Sequence, residues 1–356
     1  MVKNGRNREK WYWIGIALLL AAAIFLLAAA RKLPGFSEWY SRNVYPVVVG
    51  VMGRFFGLFP FSVVEFGLYA GIMLLLFLLW RYRKQLVRLI GRYGFLIAAL
   101  LFLYAACCGV NYYRRPFSSY FIEEVKETIP AESKEEILKE MCLWLTEKVN
   151  EAGMTLGEAE SAYKNMREKG VASMRSLAER YPSLAGFYPK PKPVTVSEIL
   201  SYQQLSGVYS PFTVEANYNA DMIPYNIPLT ICHELSHLRG FMREDEANFI
   251  GYLACVDSEY ADYRYSGYLL GWIYAGNSLA KIDYPMYETL YRSLDEGVRE
   301  DLTANREFWE SYDGQAARIQ EKVNDTYLKA NGQEEGIRTY GRVTELMLLD
   351  FIQNRR

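Results

Sequence analysis

A chain of 356 residues is long enough for more than one domain. Its 40 basic and 41 acidic side chains leave a formal charge of −1, which excludes the overall positive field of a nucleic-acid binder. Five cysteines with no Cys-x-x-Cys pair exclude a thiolate zinc ribbon, and so long a chain needs no disulfide framework.

The first segment, 1–112, is apolar and basic and reads as a membrane domain with about three transmembrane helices. Residues 11–30, WYWIGIALLLAAAIFLLAAA, carry no charge. At 1.5 Å per residue, about 20 residues cross a ~30 Å hydrocarbon layer. Two further candidates are 62–80 and 94–110. Trp11, Trp13, Trp80, Tyr112 and Tyr113 flank the spans, where amphipathic rings favour the interface. The first stretch is longer than a signal-peptide core and two more spans follow it, so an uncleaved anchor is expected. Lys3, Arg6, Arg8 and Lys10, and then Arg81, Arg83, Lys84, Arg88 and Arg92, are predicted to face inside. The expected location is thus the cell membrane, multi-pass, with the soluble domain extracytoplasmic. Arg31, Lys32, Arg42 and Arg54 make the first loop basic too. Within that loop 44–60 is apolar with Gly and Pro breaks, as in an interfacial or re-entrant element. Glu65 reads as an acid at the headgroup level, in preference to a proton relay.

The second segment, 113–356, is Tyr-rich and more acidic. Ser133 with Glu136 has capping-box spacing and predicts a helix to about Gly153; Thr155 with Glu158 predicts another reaching about Tyr181. The Pro- and Gly-rich stretch that follows reads as loop ending in a short strand. Phe212 to Asn217, with Pro211 before it, predicts an edge strand. Helices are expected after that, with a turn at 325–332 and a final helix at 336–351.

The two histidines of the chain are His233 and His237, in the run His-Glu-Leu-Ser-His. Asn226 to Cys232, with Pro228 near the first turn, starts a helix. Positions four apart share a helix face, so the two imidazoles can hold one metal ion at ~2.0–2.1 Å. Glu234 points ~100° around and flanks the ion, where it can deprotonate a water as general base. Ile231, Leu235 and Leu238 form an opposite apolar arc for the core. A catalytic zinc needs a third protein ligand and an open position. Gly240 can reverse the chain, and Glu244, Asp245 and Glu246 crowd the next helix start, where one can fold back. Cys232 competes but points elsewhere on the helix.

This HELSH helix with its following Glu-x-x-Ala-Asn pattern resembles the gluzincin class of zinc metallopeptidases, including membrane-bound and antirepressor-type members. The resemblance implies Glu244 as third ligand, Ala247 as a small packing residue and Asn248 as partner to a ligand imidazole, with Glu246 the runner-up ligand. Asn248 stands where several relatives have Asp, and the gap from His237 to Glu244 is short. PFSVVE at 60–65, SPFTVEAN at 210–217 and HELSHLRGFMREDEANF at 233–249 also resemble a bacterial multi-span membrane family with an uncharacterised HExxH domain.

The expected fold is mainly α: N-terminal transmembrane helices, then a mostly helical α+β, zincin-like domain with a small edge-strand element. The expected activity is peptide hydrolysis by a water activated on one Zn2+ ion, held by His233, His237 and Glu244, with Glu234 as base. Expected partners are a peptide or protein substrate and the lipid bilayer. Tyr263, Tyr265, Tyr268, Tyr340 and Arg342 are candidates to stabilise an oxyanion. The alternative is a catalytically inactive metal-binding membrane sensor or scaffold, although retention of Glu234 argues against it. A transporter accessory is disfavoured by the few intramembrane charges.

Overall fold

The computed structural model describes residues 2–83, 86–121, 131–160, 162–331 and 340–355, and these form two units. The first comprises Met1–Arg115 together with Ser210–Glu215. It holds α1 (Val2–Lys32), α2 (Phe36–Asn43), α3 (Tyr45–Gly57), α4 (Val63–Tyr82) and α5 (Leu86–Tyr104). The wider turn Ala105–Gly109 and the tight turn Asn111–Tyr113 extend α5. Three stretches, Lys10–Lys32, Val63–Tyr82 and Ile90–Tyr113, are long and apolar enough to cross a membrane.

α1 and α5 run parallel and closely packed. Tyr12 meets Phe95 edge-on at 6.0 Å near one end, and Arg31 Nε donates to the Tyr113 hydroxyl at 2.7 Å near the other. Glycine makes the approach: a Cβ on Gly15 would stand 2.8 Å from Phe95 Cε2, and one on Gly109 2.6 Å from Leu27 Cδ2. Small residues serve this purpose where lipid supplies no hydrophobic drive between helices.

Glu65 lies on the first turn of α4, where Ser62 Oγ accepts from its backbone N–H at 3.3 Å and Tyr69 O–H donates to its carboxylate at 3.0 Å. The stretch 44–60 is mostly the regular helix α3. Residues 210–215 form a hairpin turn whose Val214 is buried at φ 53, a costly conformation for a β-branched residue. Glu215 takes the backbone N–H groups of Val63 and Val64, at 3.1 and 2.9 Å, and so caps α4 with a carboxylate where the helix dipole favours one.

The second unit comprises Pro116–Tyr209 and Ala216–Arg356. Its helices are α6 (Ser118–Phe121), α7 (Ala131–Gly157), α8 (Met166–Arg180), α9 (Glu198–Tyr202), α10 (Asn226–Leu238), α11 (Glu244–Val256) and α12 (Ala261–Ile282). α13 (Tyr284–Arg292), α14 (Glu296–Ser311), α15 (Gln315–Ala330) and α16 (Tyr340–Asp350) complete it. A small sheet of β1 (Lys192–Pro193), β2 (Gly207–Ser210) and β3 (Glu215–Tyr218) has the order β1-β3-β2, with β1 parallel to β3. α10 packs against α8, α11 and α12, and its arc of Ile231, Leu235 and Leu238 is wholly buried. The chain is mainly helical with a minor sheet.

Several sequence-based boundaries move. Ser133 lies inside α7 instead of capping it. Thr155 starts no helix: its hydroxyl donates to Glu151 O at 2.9 Å within α7, an alternative to capping that short hydroxyl side chains readily take. The next helix begins only after Asn165, which sits in the left-handed region at φ 53. The predicted edge strand at 212–217 is corrected: residues 211–214 turn the hairpin, β3 is the middle strand, and the edges are β1 and β2. Proline within the turn, and not within a strand, removes the conflict between Pro211 and a ladder. The predicted turn at 325–332 is helical through Ala330. The final helix spans Tyr340–Asp350; residues 336–339 of its predicted range, like residue 332 of the predicted turn, lie outside the described residues.

Candidate metal centre

α10 carries His233 and His237 one turn apart. Gly240, at φ 88, reverses the chain so that α11 returns along α10. Only a residue without Cβ takes this conformation cheaply. Glu244, the first residue of α11, thereby faces both imidazoles.

The three side chains converge. His233 Nε2 and His237 Nε2 lie 3.0 Å apart, and Glu244 oxygens lie 3.3 Å from the first and 3.6 Å from the second. A tetrahedral zinc with bonds of ~2.0–2.1 Å separates its ligand atoms by ~3.3 Å. The donor set of two imidazoles and one carboxylate therefore fits a single ion at a common point. Each side chain keeps 9 to 19 % of its surface, so the centre stays open on one side.

Hydrogen bonds on the far side of each ring fix its tautomer. His237 Nδ1 donates to the Phe241 carbonyl at 2.8 Å, and a carbonyl only accepts. His233 Nδ1 pairs with Asn248 Oδ1 at 2.9 Å. Both Nε2 atoms thus face the Glu244 carboxylate and each other, positioned so that a proton or a metal ion could lie between them.

The electrostatics agree. Burial lowers the His233 pKa, but the hydrogen bond and charge of Glu244 outweigh it and lift it to about 9. Burial likewise works against Glu244, yet His237 and His233 hold it down at about 2. Burial, aided by His233, takes His237 down to about 4. The cluster thus favours positive charge between His233 and Glu244, where an ion would replace the proton. Glu234 is pushed up to about 8, chiefly by burial, with Glu244 adding to it and His233 opposing. Among the described residues its Oε2 has no hydrogen-bond partner.

The other acids of the α11 start are engaged elsewhere. Glu246 accepts from the backbone N–H and hydroxyl of Ser118, at 2.8 and 2.7 Å. Asp245, fully buried, pairs with Arg243 and Arg342, both at 3.4 Å. Cys232 is buried beside Cys255.

None of the described oxyanion candidates reaches the centre. Tyr263 donates to Met166 O, Tyr265 to Asp301, Tyr268 packs on Trp144, and Arg342 serves Asp245. The Tyr340 side chain lies outside the described residues. Two tyrosines that sequence reading missed are nearby. Tyr274 of α12 places its hydroxyl 3.5 Å from Asn248 Oδ1, and Tyr209 of β2 has its ring centre 6.4 Å from that of His237. Strand alternation puts Tyr209 on the same face as Gly207, a signal readable once β2 is recognised. Tyr274 carries no such signal.

Gly207 touches Glu234. A Cβ there would stand 2.6 Å from Glu234 Oε1 and 2.8 Å from the Asn217 carbonyl. Gly207→Ala is expected to displace the Glu234 carboxylate and lower turnover by about 100-fold, as small misplacements of reacting groups do, with metal content unchanged. Steady-state kinetics beside metal analysis checks this. Asn248→Ala removes the acceptor that orients His233, and metal affinity should fall about 10- to 100-fold in a chelator competition. Asn248→Asp should restore it.

No curated protein and no solved structure matches this chain. A family model does match, over residues 40–348, under the description "Protein of unknown function (DUF3810)". The match takes in α3 through nearly all of α16, including every residue of the centre, and the chain belongs to the DUF3810 family.

Proposed function

We propose that this chain is a membrane-anchored zinc-dependent peptidase with a gluzincin-like centre. The observation that carries the reading is the convergence of His233, His237 and Glu244 on one tetrahedral position, with Glu234 uncommitted beside it. When bound, zinc supplies a Lewis acid that acidifies a water and polarises a carbonyl. Glu234 would take the water's proton and return it to the leaving amine, a role its place on the same helix as both histidines suits. Asn248 and the Phe241 carbonyl keep the two imidazoles aimed. β2, one edge of the sheet, runs past Glu234 at Gly207 and offers its backbone to an extended substrate, as in strand addition. Tyr209, on that strand, is placed to contact the substrate.

The chain sits in the membrane as a multi-pass protein, with the domain from about residue 113 onward on the extracytoplasmic side, by the distribution of Lys and Arg. Reporter fusions after Tyr113 and after Arg83 test this topology and should report opposite sides.

The function is tested by metal analysis of the purified full chain and cleavage of a peptide library before and after chelation. One zinc per chain, with cleavage lost on chelation and regained on zinc addition, is the expected result. One zinc without cleavage would favour a metal-binding sensor or scaffold, and absence of zinc would remove both readings.

A further inference from the structure

At one end of the parallel α1–α5 pair lies a cavity of about 200 Å³, lined by Arg31, Lys32, Arg115, Tyr113 and the first turn of α2. Arg31 and Lys32 are exposed and end the first candidate span, and Tyr113 ends the third. Arg31 is held in place: its Nε donates to the Tyr113 hydroxyl at 2.7 Å and its guanidinium lies 5.5 Å from that ring's centre. α2 begins after Gly35, at φ 80, which has no side chain to cap the helix, and Gly35, Ser37 and Glu38 of its start line the cavity, so the positive end of the helix lies beside it. The acid of the lining, Glu38, is already shared by Arg42 and Arg114, each at 3.9 Å, and accepts from the Arg115 backbone N–H at 3.3 Å. The cavity is therefore cationic.

We infer that this cavity binds the phosphate of an anionic phospholipid headgroup. Its position follows from the spans. Arg31, Lys32 and Tyr113 sit where two hydrocarbon-crossing helices end together, the depth at which lipid phosphates lie. Cations at this end run against the distribution that orients membrane proteins, since the opposite end carries Lys3, Arg6, Arg8, Lys10, Arg81 and Arg83. A bound anionic headgroup accounts for cations that topology alone would not place there. Planar Arg31 can grip two phosphate oxygens while Lys32 adds a point charge.

The inference rests on the membrane reading, and two measurements separate them. Alkaline carbonate extraction tests membrane integration: a chain released into the supernatant overturns the membrane reading and the lipid site with it. Native mass spectrometry of the full chain in detergent tests the site, with phosphatidylglycerol and phosphatidylcholine as probes. Phosphatidylglycerol should be retained at least about fivefold better, and Arg31→Gln with Lys32→Gln should reduce it to the phosphatidylcholine level. Lys32→Gln alone should give an intermediate loss, and Arg81→Gln with Arg83→Gln, at the other end, none. Equal retention by the parent and the Arg31, Lys32 variant overturns the proposal. Displacement of the lipid by millimolar inorganic phosphate also overturns it, in favour of a free-anion site.

Discussion

Glu234→Gln is expected to keep one zinc per chain and to lose about 100- to 10,000-fold in turnover, the usual contribution of a general base. The amide is nearly isosteric with the carboxylate, so packing against Gly207 is kept, and only the capacity to take a proton goes. The retained zinc matters as much as the lost rate. Glu234 lies on the metal-bearing helix but aims beside the ligands, so affinity should change little. A variant that lost zinc and activity together would instead place Glu234 among the ligands. A variant that kept full activity would remove it from the mechanism.

Glu244→Ala should have the opposite signature. It leaves His233 and His237 on one helix face but removes the carboxylate that closes the triangle. Zinc affinity should fall by more than the ~10- to 100-fold that loss of an orienting partner such as Asn248 costs. Because an ion that binds only the folded chain stabilises it, zinc should raise the melting temperature of the parent and leave that of Glu244→Ala nearly unmoved. Glu246→Ala supplies the control: it breaks the contact to Ser118 and should lower stability without altering metal stoichiometry.

The readability of the centre in the sequence depended on range. His233 and His237 were legible because the helical period alone sets their relation. The turn at Gly240 was legible because a left-handed backbone selects glycine. Glu244 was singled out from Asp245 and Glu246 only through the Glu-x-x-Ala-Asn resemblance, because what engages the other two lies partly far along the chain. Glu246 is committed by Ser118, a residue 128 positions away, and Asp245 by Arg342 on α16. Tyr274 likewise owes its position to packing of α12 on α11, which no spacing encodes. The apolar spans were legible because length and composition suffice. The hairpin was misread because Phe212 and Val214 have strand-forming side chains, while their backbone is held in a turn by tertiary context.

Residues 210–215 belong with the N-terminal helices although they sit between β2 and β3 in the chain. The first unit is therefore discontinuous, and a polypeptide begun at Pro116 would carry six of its residues away from their own body. Glu215 would lose the two α4 amides that donate to it, and Val214, buried at an unfavourable backbone angle, would be parted from the rest of its unit. Excising the helices to obtain a soluble fragment would then disturb the strand pair beside Glu234, so solubilisation of the intact polypeptide is the sounder route to an assay.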